Sequence, residues 1–156
     1  MTVSHGGSRT SCLLSSTTTM ATSAFTALPL TVQQLALSAV LKCGQSFRWT
    51  IFPLSATDGP THEYRLCLRD RVVCLRQSPS TLFYRTVYAE PQPSPTQKPV
   101  RDAETLVWIM DYFQLDIDLV ALYSDWAKRD PVFYALKDRF EGIRILRQEP
   151  WENLVS

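Results

Sequence analysis

The sequence predicts an α+β fold, an antiparallel sheet covered by helices, on three observations. Two-residue apolar alternation dominates the first half of the globular region, a proline-rich connector follows, and the apolar period then becomes helical. At 156 residues with 45% hydrophobic and 20% charged content, the composition is that of one globular domain.

Taken in order, residues 1–26 are dense in Ser and Thr, free of acids, and carry the single arginine Arg9. That is half of a transit-peptide signature without its arginine-rich half, so residues 1–28 are expected to be a disordered leader. A mitochondrial address is the alternative, and Met20 an alternative start.

From Leu30 to Leu41, Leu35, Leu37 and Leu41 fall on alternate positions, which suits a strand rolling into a turn before Gly44. Phe47 to Phe52 is a second expected strand. After a loop at Ser55–Thr61, Tyr64–Leu68 and Val72–Arg76 flank Asp70 and Arg71 as two more, and Thr81–Tyr88 supplies another. Tyr64, Leu66 and Leu68 share one face while Arg65 and Arg69 take the other, as in a sheet wet on one side. Pro91 to Pro99, with Pro93 and Pro95 between them, is expected to be an extended connector.

Beyond it, Leu106, Ile109, Met110 and Phe113 follow helical spacing, and Leu119, Leu122, Tyr123 and Trp126 repeat it after the cap candidate Asp118. A third helix is expected from the N-cap Asp130 and Pro131 through Phe133, Leu136 and Phe140 to Gly142. These three helices would cover the sheet. Glu149 and Pro150 start a last helix with Trp151, Leu154 and Val155 as its apolar stripe; alone it is marginal.

Sixteen basic and fifteen acidic residues leave a net charge of +1, so bulk charge points to no nucleic-acid or acidic partner. No apolar run approaches the roughly 20 residues needed to cross a bilayer, and no membrane partner is expected. Cys12, Cys43, Cys67 and Cys74 lack paired CxxC spacing, so no metal site is expected; Cys67 and Cys74 read as small strand hydrophobes and the thiols as reduced.

Searches for catalytic machinery return no GxSxG, P-loop or HExxH. Asp116 and Asp118 read as helix-start caps rather than a carboxylate pair, and His62 as a loop residue. A Schiff-base lysine needs a desolvated or charge-tuned pocket, and none of Lys42, Lys98, Lys128 and Lys137 has a buried pattern. One local signal stands out: Gly44, Gln45, Ser46, Phe47, Arg48 and Trp49, a glycine free to approach something closely and large side chains that can anchor it. An ordinary β-turn explains the same residues.

That run resembles the GQSFRW motif of eukaryotic 8-oxoguanine DNA glycosylases. Tyr112-Phe113-Gln114-Leu115-Asp116 is similar to the family's YFQLD segment, and Phe140-Glu141-Gly142-Ile143-Arg144-Ile145-Leu146-Arg147-Gln148-Glu149-Pro150 to its F-x-G-[LVI]-R-x-L-R-Q-[DE]-P stretch. The resemblance implies that residues 29–149 are the family's N-terminal domain, a twisted antiparallel sheet with helices like half of the TATA-binding-protein fold. Residues 150–156 would begin the helix leading into the catalytic domain, whose helix-hairpin-helix, lysine and aspartate have no counterpart here. No catalytic residue is therefore expected in this chain, and no cofactor.

The resemblance further implies base excision repair in the nucleus, on double-stranded DNA containing 8-oxoguanine, by a monomeric glycosylase and abasic-site lyase. Gly44 would offer its carbonyl to N7–H of the flipped base, with Gln45, Ser46, Phe47, Arg48 and Trp49 supporting the turn and Phe47 and Trp49 as core anchors. The alternative is a non-enzymatic TATA-binding-like module that binds DNA or protein through Arg65, Arg69, Arg71 and Arg76 on its sheet.

Overall fold

The computed structural model describes residues 24–55 and 59–155. Apolar alternation becomes a sheet because neighbouring strands bury the same face in register. β1 (Thr26–Pro29), β2 (Thr50–Pro53), β3 (His62–Leu68), β4 (Arg71–Ser78) and β5 (Thr81–Tyr88) pair antiparallel in the order β1-β5-β4-β3-β2. Opposite Tyr64 lies Leu75, and opposite Leu75 lies Tyr84. Tyr64, Leu66, Val73, Leu75 and Leu82 are buried together on the inner face. The last three strands lie where the alternation places them, each extended by a residue or two at most except at matching ends. His62 opens β3 instead of sitting in the preceding loop.

β1 straddles the boundary drawn at residue 28, pairing Thr26 with Tyr84 and Leu28 with Leu82. The rest of the expected leader, residues 1–23, lies outside the described residues. Of the two cysteines read as strand hydrophobes, Cys74 is buried, but Cys67 is exposed on the outer face.

Leu30 to Leu41 is not a strand. The chain turns after Thr31 and forms α1 (Leu37–Val40), burying Leu35, Leu37, Val40 and Leu41. Gln77 of β4 makes this arrangement self-consistent: its Oε1 accepts from the Leu37 amide at 2.9 Å and its Nε2 donates to the Leu35 carbonyl at 2.5 Å. One side-chain amide thus satisfies backbone groups that a neighbouring strand would otherwise serve. Phe47 to Trp49 likewise belongs to a turn, and β2 begins only at Thr50.

α2 (Lys98–Tyr112) starts inside the expected connector, with Pro99 in its first turn, where a missing N–H costs nothing. α3 (Leu119–Arg129) is capped by Asp118, which accepts from the Ala121 amide at 3.1 Å. α4 (Pro131–Leu136) is capped by Asp130, which accepts from the Val132 and Phe133 amides. It passes into a 3-10 turn at Lys137–Arg139 and ends well before Gly142.

The cover on the sheet differs from three helices. α1, α2 and the segment around Leu146 fill it, with Ile109, Tyr112, Phe113 and Leu146 in the core. Phe113 ends α2, and Gln114 at φ +50 redirects the chain. α3 buries only Leu119 and packs on α4 through Tyr123, Trp126 and Phe133, whose ring centroids lie 5.2–5.7 Å apart. α5 (Pro150–Val155) forms as expected, and Trp151 and Leu154 of its stripe are 71% and 74% exposed.

Candidate functional site

The turn from Gly44 to Trp49 joins α1 to β2, and nearly every residue in it is fixed from the far end of the sequence. Gln45 donates from Nε2 to the Arg144 carbonyl and accepts at Oε1 from the Leu146 amide, both at 2.9 Å. Its own carbonyl accepts from Gln148 Nε2. Gln45 therefore extends residues 144–148 like a short ladder, which positions the chain immediately after Gly44.

Ser46 donates from Oγ to Glu152 Oε1 at 2.5 Å, and Arg48 Nη1 donates to Glu152 Oε2 at 3.0 Å. The other arm of Arg48 donates to the Cys67 carbonyl at 2.8 Å. Trp49 is buried among Trp108, Tyr112 and Phe113. Its indole donates to the Tyr112 hydroxyl at 3.2 Å, and that hydroxyl donates to Glu152 Oε1 at 3.3 Å. Burial pushes the Tyr112 phenol up, keeping it a donor. Burial alone would raise the Glu152 carboxyl, but hydrogen bonds from Ser46, Arg48 and Gln148 outweigh it and hold Glu152 below the usual carboxylate value.

Gly44 is the exception to this tethering. It sits at φ +87, in the region that favours glycine, and a Cβ built on it meets nothing within 4 Å. Among the described residues no hydrogen bond is made to its carbonyl. Cys43 beside it is exposed and points its thiol at the Val40 carbonyl. The turn therefore presents a main-chain carbonyl without a partner among the described residues, followed by residues hydrogen-bonded to the far end of the sequence.

Phe47 does not anchor the core: it is 74% exposed, while Trp49 is buried. Trp49 is held inside by the Tyr112 hydroxyl, which is itself bonded to Glu152. Gly44 to Trp49 stand together in the sequence, but nothing local to them points to Glu152, Tyr112 or Gln148 as the groups that hold the turn. The available signal was the continuation of the third motif through Pro150 and Trp151 into Glu152.

Arg144 carries the opposite wall. Its guanidinium donates to the Gln34 carbonyl at 2.5 Å, to Gln34 Oε1 at 2.8 Å, and to the Gln114 and Ile117 carbonyls at 2.6 and 2.7 Å. Four acceptors from two loops thereby fix the segment that holds Gln45.

The arginines of the sheet are engaged within the chain. Arg65, Arg76 and Arg85 converge on Glu63, which is fully buried, at 2.6, 2.7 and 3.2 Å. Burial would raise the Glu63 carboxyl, yet these guanidiniums hold it below its ordinary value. Arg65 also lies 4.3 Å over Phe52, and Arg76 4.3 Å over Phe25. Arg71 is bonded to Asp70, Arg101, Thr105 and Glu104, and Arg69 faces Glu149 at 3.6 Å. A minor-groove sheet binder needs free cations and apolar wedges on that face, and these four guanidiniums already have partners.

Lys42, Lys98, Lys128 and Lys137 are exposed or half-buried, and Lys98 opens α2 paired with Asp102 at 2.5 Å. Among the described residues no group of His, Cys, Asp and Glu is arranged to hold a metal ion, and no helix is long and apolar enough to cross a membrane.

The family model for the 8-oxoguanine DNA glycosylase N-terminal domain matches residues 27–154. The chain is 32% identical over 134 residues to N-glycosylase/DNA lyase OGG1 of Arabidopsis thaliana, covering 83% of this chain and 31% of that protein. It is 32% identical over 139 residues to an N-glycosylase/DNA lyase of Saccharomyces cerevisiae, covering 85% and 33%. A solved structure of MBOgg1 in complex with low affinity DNA ligand aligns with a TM-score of 0.54 and 29% identity over 83% of this chain and 37% of that one. The chain spans about a third of the length of the curated relatives it matches.

Proposed function

Because the chain belongs to the 8-oxoguanine DNA glycosylase N-terminal domain family, we propose that it supplies lesion recognition to a base-excision-repair enzyme acting on double-stranded DNA that contains 8-oxoguanine. The chemistry of glycosidic cleavage and strand scission is assigned to the part of the relatives that this chain does not span. A nuclear site of action follows from that role; mitochondrial import is the alternative, and a fluorescent fusion of residues 1–28 tests it.

Gly44 is the reading group. Oxidation at C8 places a proton on N7, whereas guanine carries a lone pair there. A fixed carbonyl at that position gains a hydrogen bond from the lesion and meets an acceptor in the normal base. Leaving the carbonyl buried and unpaired against guanine costs about 1–3 kcal/mol, roughly ten- to a hundredfold in binding. The base must first leave the stack to reach such a group.

One observation carries this reading: the Gly44 carbonyl has no partner within the described chain and open space at the Cβ position, on a turn whose following residues are held in place. The test is a chimera in which this chain replaces the matching third of the Saccharomyces cerevisiae N-glycosylase/DNA lyase. Binding to 8-oxoguanine and guanine duplexes should differ, and Gly44→Ala, which keeps the carbonyl but strains the φ +87 backbone that aims it, should move that ratio toward one. An unchanged ratio would overturn the assignment.

A further inference from the structure

α5 buries the side chain of its one acid, Glu152. An amphipathic helix turns its aromatic and aliphatic residues inward and its charges out. Here Trp151 and Leu154 face solvent while the Glu152 side chain is 5% exposed. A helix of this length is marginal in water, and its placement comes from tertiary contacts. Among the described residues, the side-chain hydrogen bonds of α5 converge on Glu152.

Glu152 accepts from Ser46 and Arg48, which flank Phe47, and from Tyr112, which in turn holds Trp49. Gln148, just before α5, donates to the Gln45 carbonyl. Gln45, Ser46, Arg48 and Trp49 are thus all tied to residues 144–152 directly or through Tyr112. Gly44 has no tether of its own and takes its position from them. A buried carboxylate is tolerated only when every lone pair is used in good geometry, so the turn and α5 constrain each other across more than a hundred residues of sequence, as the 106-residue separation of Ser46 and Glu152 shows.

We propose that Glu152 is the positioning residue of the Gly44 turn, the group through which the placement of α5 sets the direction of the Gly44 carbonyl. This rests on the reading that the Gly44 carbonyl meets the base. Glu152 does not touch the base; it acts by holding Ser46, Arg48 and the Tyr112–Trp49 pair. Displacement of α5 then reorients the reading group without any change in the sheet.

The experiment uses the whole chain, labelled with ¹³C and ¹⁵N, as wild type and as Glu152→Gln. The variant is expected to move the Gly44 carbonyl ¹³C resonance and the Trp49 indole proton, and to raise amide exchange at residues 44–49 at least tenfold. Amides of β3, β4 and β5 should stay within twofold of wild type. Equal acceleration in turn and sheet would reduce Glu152 to a general anchor of the fold, and unchanged resonances at Gly44 would exclude any positioning role. Should Glu152→Gln not fold, Ser46→Ala removes one donor from the same carboxylate and leaves Arg48 and Tyr112 in place. It should shift Gly44 in the same direction by less, and no shift overturns the proposal. No DNA enters these readouts, so a Gly44→Ala chimera with unaltered lesion discrimination would sink the proposed function alone.

Discussion

Replacing Gly142 and Gly44 by alanine in separate variants separates steric exclusion from backbone strain. Both residues have positive φ, +71 and +87, so an L side chain at either costs about 1–2 kcal/mol of conformational strain. At Gly44 that is the whole cost, because a Cβ meets nothing within 4 Å. At Gly142 the new methyl overlaps the Val32 carbonyl oxygen and lies 2.7 Å from the Ala36 amide nitrogen. That amide donates to the Gly142 carbonyl at 2.9 Å. Relieving the overlap separates this pair, adding about 0.5–1.5 kcal/mol for the lost bond. The sum for Gly142→Ala is therefore about 1.5–3.5 kcal/mol, against about 1–2 kcal/mol or less for Gly44→Ala. Urea unfolding followed by tryptophan fluorescence measures both. Equal losses, or a loss below about 1 kcal/mol for Gly142→Ala, would refute the packing given to residues 140–144.

Arg144→Met should cost about 2–4 kcal/mol, since it leaves the Gln34, Gln114 and Ile117 carbonyls without their donor; a shift of less than about 1 kcal/mol in urea unfolding would contradict the clamp. Glu63 and Glu152 are both held below the ordinary 4.5 in the folded chain. Their stabilisation is complete above the unfolded value and is lost as pH falls below about 4.5 through the folded values. Melting temperatures from pH 7 to pH 2.5 should accordingly fall less steeply for Glu63→Gln than for wild type, and parallel profiles would show that the guanidinium cluster contributes nothing to acid lability. Borohydride treatment of the chain with an 8-oxoguanine duplex should trap no covalent adduct; a trapped band would assign a competent amine to one of its four lysines, Lys42, Lys98, Lys128 or Lys137.

Local signals in the sequence were sufficient wherever local physics decides the outcome. Thr81–Tyr88 is a strand because its alternation matches two paired neighbours, and Asp118 and Asp130 start helices because a short acceptor reaches the next amides. Alternation misled at Leu35, Leu37 and Leu41, whose burial is genuine. The backbone partner there is the side chain of Gln77, about forty residues away, and no window around Leu37 contains it. The same limit applies at the site. Gly44 to Trp49 is legible as a unit, but which of its aromatics goes inside is set by Tyr112 and Glu152. Helical periodicity at the end of the chain marks Trp151 and Leu154 as an apolar stripe, which is exposed here, but it gives no sign that the acid between them is buried. The burial of Glu152 follows from its hydrogen bonds to Ser46 and Arg48, over a hundred residues away, which a periodic pattern does not encode.

The most direct measurement is the distance from the Gly44 carbonyl oxygen to N7 of the flipped base, in crystals of the chimera bound to an 8-oxoguanine duplex. A separation of about 2.7–3.2 Å with the N–H directed at the oxygen is predicted. A separation beyond about 3.5 Å, with the base held by other groups, would contradict it.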